Sequence, residues 1–95
     1  MPAIKCPVTD IIGKLSTAID SGSLTDPRSR RRAEDILALL NDVASGRADT
    51  DHLPAMGSLA QKLEEQGKTE SSKNIGKVTR TALSQHREVF ISHID

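Results

Sequence analysis

Cys6, His52, His86 and His93 are the side chains of this 95-residue chain best suited to act as nucleophile, proton shuttle or soft metal ligand. Cys6 is the only cysteine and stands a few residues ahead of the segment "TDIIGKLSTAIDSG". A helix N-terminus lowers a thiol pKa. Cys6, however, precedes the expected helix cap and has no histidine or second cysteine near it in sequence, so it reads as a small residue in a terminal tail. Histidines that chelate from one helix need i, i+3 or i, i+4 spacing. His86 and His93 are seven residues apart, about 10 Å along a helix axis, and Glu88 and Asp95 are not spaced to complete a site. A phosphotransfer role for His86 calls for a lysine and a glycine soon after the histidine, and "HREVF" supplies neither. The chain holds no Ser–His–Asp order, nucleophile elbow or phosphate loop, and Gly76 in "NIGK" lacks the companion glycines of a phosphate cradle. The expectation is a non-catalytic chain with no metal site and no cofactor.

Binding residues are easier to nominate. In "RSRRRAED", Arg28, Arg30, Arg31 and Arg32 crowd what should be the first turns of a helix. Cations there oppose the positive end of the macrodipole. The pairs Arg30–Glu34 and Arg31–Asp35, at i, i+4, offer partial relief. Such a row is either a solvated face or a docking patch for an acidic protein surface. Nucleic acid is the weaker reading, because no aromatic residue interleaves the arginines and the rest of the chain is neutral. Near the C-terminus, Val89, Phe90 and Ile91 are consecutive and cannot all face one core. Phe90 suits core packing at the edge of the fold, and Ile91 suits a partner contact. Arg28, Arg30, Arg31, Arg32, Phe90 and Ile91 are therefore the candidate partner-binding residues.

Four helical segments must position these groups. The first runs from a cap at Thr9 or Asp10 to a stop at Gly22, with Ile11, Leu15, Ala18 and Ile19 on one face. Gly13 inside it costs about 1 kcal/mol relative to alanine and calls for a packing reason. The second opens with Asp26 as cap and Pro27 at the first helical position, carries Ala33, Ile36, Leu37, Leu40 and Val43 as a stripe, and closes at Gly46. The third begins at Thr50 or Asp51, tolerates Pro54 in its first turn, lines up Leu53, Met56, Leu59, Ala60 and Leu63, and ends at Gly67. The fourth is expected to run unbroken from about Thr69 to about His93, roughly 35 Å, with Ile75, Val78, Ala82, Val89 and Phe90 at helical spacing. No segment alternates with period two. The expected fold is all-α, an antiparallel up-and-down four-helix bundle, in one domain over residues 1–95 with residues 1–8 as a flexible tail.

Composition narrows the function classes. Hydrophobic residues make up 36% of the chain and Phe90 is its only aromatic residue, so the core must be built from Leu, Ile, Val, Ala and Met, which favours helix packing over a β-sandwich. Thirteen basic and thirteen acidic residues give a formal net charge of zero, leaving no global field for nucleic acid or anionic membrane. No apolar run reaches the roughly 20 residues of a membrane span, no secretory leader opens the chain, and one cysteine cannot form an internal disulfide, so a cytoplasmic location is expected.

Across roughly residues 4 to 94 the chain resembles the C-terminal helical iron–sulfur domain of the NADH-binding flavoprotein subunit of respiratory complex I, shared with NAD-linked hydrogenases and formate dehydrogenases. That domain has a C-x-x-C-x-x-C run leading into a helix with a glycine soon after, three further helices, a fourth cysteine before the last helix, and a close on "HI". Here Gly13 takes the place of that glycine, "REVFISHI" is the closing stretch, and "ASGRADTDHLPAMGSLAQKLEEQGK" matches the middle helix and its entry loop. In this register Ile4, Pro7 and Asp10 stand where the three cysteines belong, Cys6 falls between them, and no cysteine occurs near Thr69. A four-iron cluster needs its thiolates as a set, so the ligands do not carry over, and the flavin and NADH sites lie outside this domain. The resemblance implies an accessory or regulatory module that has lost the cluster and docks on a larger protein partner, an oxidoreductase subunit. Two other readings remain. One is a regulator that touches nucleic acid through Arg28 and Arg30 to Arg32. The other is a redox subunit in which Cys6 joins cysteines of a second chain in a shared cluster.

Overall fold

The segment from Pro7 to Asp20 is helical because Val8, Ile11 and Leu15 recur on one side of it, and all three are buried. This is helix α1 in a computed structural model that describes residues 7–94. It starts two residues before the expected cap: Pro7 sits in the first turn, where its missing N–H costs nothing, and Val8 belongs to the core rather than to a tail. Helix α2 spans Pro27–Ala44, α3 His52–Gln66, α4 Glu70–Gln85 and α5 Arg87–Ser92. The described residues are helical or loop, with no strand among them.

The caps follow from residue type. Asp26 accepts from the Arg28 N–H at 3.4 Å and from the Ser29 hydroxyl at 3.1 Å, and Pro27 follows it as the first residue of α2. Thr69 Oγ1 accepts from the Ser72 N–H at 3.1 Å to start α4. Gly22 and Gly46 take φ of +75° and +76°, the left-handed conformation that ends helices and that glycine adopts without a Cβ penalty. At the start of α3 Asp51 makes no side-chain cap. Asp49 instead braces the turn ahead of the helix, its carboxylate accepting from the Asp51 N–H at 2.9 Å.

Ile36, Leu40, Val43, Met56, Ala60 and Leu63 are fully buried on the expected faces of α2 and α3. Each of the first three helices packs on the next, and α4 packs on both α3 and α1. The expected face of α4 is corrected. Its buried positions are Ser72, Gly76 and Thr79, while Ile75, Val78 and Ala82 are only half-buried. The small residues let α3 come so close that a Cβ at Gly76 would lie 2.5 Å from the Ala60 carbonyl oxygen and 2.6 Å from the Glu64 nitrogen. Gly76 therefore has a packing reason within its helix. Gly13, for which one was expected, has nothing within 4 Å of where its Cβ would be.

The long fourth helix is also corrected. His86, at φ −118° and ψ 31°, breaks it into α4 and α5. A Cβ at Gly67 would meet the Ser72 Cβ and one at Gly76 would meet the Leu63 Cβ, a register in which α4 runs back along α3. Carried along, that register brings the start of α3 at His52 alongside the end of α4. Past that point a straight α4 would have no α3 surface to cover it. The chain turns there, and Phe90, the bulkiest fully buried side chain, reaches the core from the six-residue α5.

Candidate functional site

The arginine row stands on the first turns of α2, at the end of the molecule where α3 finishes. Arg30 pairs with Glu34 and Arg31 with Asp35, each at 3.6 Å, as the spacing predicts. These exposed pairs contribute little to stability. Arg28 and Arg32 instead border a shallow depression of about 490 Å3 together with Asp26, Pro27, Gln66 and Lys68. Asp26 is the one carboxylate in that depression, and it is engaged in capping α2. Burial pushes its pKa up, but the Ser29 hydroxyl, the Arg28 N–H and the charge of Lys68 outweigh this and hold it below the usual carboxylate value. The depression thus has a cationic rim whose single anion is already occupied.

Phe90 is withdrawn from the candidate contact set: it is fully buried and serves the core. Ile91 is the exposed large hydrophobic residue among those described, at 43%. It lies beyond the end of α4, whereas the arginines lie beside the end of α3. The antiparallel α3–α4 register puts these at opposite ends, so no single surface unites them.

Cys6 lies outside the described residues. His86 forms the break between α4 and α5 and is exposed, and His93 caps the end of α5. His52 has an environment that was not anticipated. Its Nδ1 is 3.0 Å from Asp49 Oδ1 and 3.1 Å from the Asp49 nitrogen, and its Nε2 faces Asp42 Oδ2 at 3.6 Å. A neutral ring can accept the Asp49 N–H at Nδ1. A protonated ring donates there to the Asp49 carboxylate and presents Nε2–H to Asp42. The bond to Asp49 raises the His52 pKa, burial opposes it, and the charges of Asp49 and Asp42 add to the rise. The same contact lowers the pKa of Asp49, helped by the Asp51 N–H. The group fastens the end of α2 to the start of α3. The Asp49–His52 spacing was visible in sequence, but Asp42, across the connecting loop, was not. Among the described residues, no three His, Cys, Asp or Glu side chains gather to hold a metal ion, and no helix is long and apolar enough to cross a membrane.

A cleft along the α1–α4 seam was not anticipated. It follows from the rotation of α4, which leaves Ile75, Val78 and Ala82 facing α1 rather than α3. Its open section, about 820 Å3, runs from Asp10 to Ser23 on the α1 side and meets Ser71, Asn74 and Ile75. A second section continues past Lys77 to His86. An inner compartment of about 220 Å3 is lined by Ile11, Leu15, Ile75 and Val78, with Lys14, Asn74 and Thr79 as its polar members. Thr79 is 1% exposed, and its Oγ1 has no hydrogen-bond partner among the described residues. Asp10 borders the section that reaches Val78 and His86, and it shares the open section with Ser71.

No protein-family model, curated protein or solved structure matches the chain. The reading of function rests on the residues themselves.

Proposed function

We propose that the chain is a non-catalytic accessory module that docks on an acidic surface of a larger protein through the cationic end of α2. The four longer helices are read as an antiparallel up-and-down bundle that displays this end. The observation that carries the reading is the depression at Arg28, Arg32 and Lys68, whose only carboxylate, Asp26, is committed to capping. In a chain of zero formal net charge, such a local excess of cations steers an oppositely charged surface and sets its orientation. The resemblance to the helical domain of NADH-binding flavoprotein subunits supports an oxidoreductase subunit as the larger partner, with a cytoplasmic location. The same cations support the second reading, a nucleic-acid contact.

The test is affinity capture from the native host with the wild-type chain and with the Arg28→Glu/Arg32→Glu variant, both at low and raised salt. The reading expects one protein partner, held by the wild type, released by salt and not captured by the variant. Capture that is indifferent to both charge reversal and salt refutes the cationic interface. Recovery of nucleic acid alone, with affinity falling steeply as salt rises, transfers the function to the second reading.

A further inference from the structure

The cleft between α1 and α4 has a composition that selects a ligand. Its inner compartment presents four aliphatic side chains, Ile11, Leu15, Ile75 and Val78, and three groups able to donate hydrogen bonds, Lys14, Asn74 and Thr79. Lys14 borders all three sections of the cleft. Its existing partner, Asp10, sits at 3.3 Å, and both side chains are well exposed, at 56% and 39%. A pair of that kind is worth little and yields readily to a better anion. Lys77 adds a second cation to the seam, against the single carboxylate of Asp10. The Thr79 hydroxyl is buried without a partner among the described residues, and leaving such a group unmet incurs its desolvation penalty.

We propose that this cleft binds a small monocarboxylate with an aliphatic body, of the medium-chain fatty acid type. The carboxylate accepts hydrogen bonds from Lys14, Asn74 and Thr79, and the aliphatic body covers the stripe that α4 leaves half-buried. Lys14, ion-paired to Asp10 in the free protein, turns to the ligand. The open section, about 820 Å3, falls within the range of small-molecule sites, about 300–1,000 Å3, and the inner compartment deepens it. The site is separate from the cationic end of α2, and its test does not depend on that reading.

The experiment is a titration of the full chain, isotope-labelled, followed by NMR. The probes are octanoate, 1-octanol as the uncharged body, and acetate as the charge alone. Octanoate should give saturable shifts in the methyl groups of Ile11, Leu15, Ile75 and Val78. Octanol should bind about tenfold more weakly, since a charge-assisted hydrogen bond exceeds a neutral one by about that factor. Acetate should not saturate. Lys14→Met, a change at an exposed position, should bring octanoate down to the affinity of octanol. Thr79→Val should weaken both octanoate and octanol. Octanoate shifts that do not saturate, that fall outside the cleft, or that are unchanged in Lys14→Met overturn the proposal. Equal affinity for octanol and octanoate overturns the assignment of a carboxylate ligand.

Discussion

Replacing Gly76 by alanine puts a methyl group where α3 leaves no room. The new Cβ would stand 2.5 Å from the Ala60 carbonyl oxygen, 2.6 Å from the Glu64 nitrogen and 2.9 Å from the Leu63 Cβ. Two of the three are backbone atoms of a packed helix and cannot swing aside. The shortfall from ordinary contact is about 0.9 Å, and the tightly packed interior transmits it as a displacement of one helix from the other. Overpacking of this kind costs about 1–3 kcal/mol. A gap of that width also forfeits a quarter to a half of each dispersion contact across the pair. Against this stands a gain of about 1 kcal/mol, because alanine is the better helix former. The expected balance is a loss of about 2 kcal/mol, from a total on the order of 10 kcal/mol for a domain of this size, and a melting temperature lower by on the order of 10 °C. Gly13→Ala is the control. It makes the same chemical change within a helix, but nothing lies within 4 Å of its Cβ, so the propensity gain stands alone at about 0.5–1 kcal/mol. Urea and thermal unfolding followed by far-UV circular dichroism measure both. A Gly76→Ala variant as stable as the wild type refutes the close α3–α4 approach, and a Gly13→Ala variant less stable than the wild type refutes the open surroundings of Gly13.

Three further outcomes are expected. Phe90→Ala should cost about 3–5 kcal/mol, as loss of a fully buried aromatic does, whereas Ile91→Ala should stay within about 0.5 kcal/mol; urea midpoints of the two variants that coincide would contradict the placement of α5. Thr69→Ala removes the α4 cap and should lower stability by about 1 kcal/mol, with Thr69→Ser restoring most of it in the same assay. Because Asp49 and Asp42 raise the His52 pKa above 6.5 in the folded state, protonation stabilises the fold. That contribution is complete below pH 6.5 and is lost as pH climbs through the raised value. The lowered Asp49 pKa adds stability that is present above pH 3.8 and lost as pH falls further. Unfolding free energies measured across this range should decline on the alkaline side for the wild type and lose that slope in His52→Gln; an unaltered slope would show that His52 is not its source.

The helix ends that side-chain chemistry determines locally were legible in the sequence: Asp26 with Pro27, Thr69, and the left-handed stops at Gly22 and Gly46. So were the buried stripes of α2 and α3 and the two arginine ion pairs. The start of α1 could have been read from Pro7 and from Val8, which extends the Ile11–Leu15 stripe by one turn. The break at His86 could not. Ser72 and Phe90 are eighteen residues apart, five whole turns of an α-helix, so an unbroken helix would also have put Phe90 on the buried side. The rotation of α4 was hidden for a different reason. Hydrophobic periodicity points to Ile75, Val78 and Ala82, but α3 approaches along the small residues, where backbones can come nearest. The cleft, the unmet Thr79 hydroxyl and the reach of Asp42 to His52 depend on contacts between elements, which no local pattern encodes.

The position of Phe90 has a consequence for biosynthesis. Synthesis runs from the N- to the C-terminus, so all four longer helices are made before the bulkiest fully buried side chain is added. Until then the apolar core of the nascent protein lacks its bulkiest member. During that interval the incompletely covered core is a natural target for chaperones, and a polypeptide interrupted after Gln85 would be left as one.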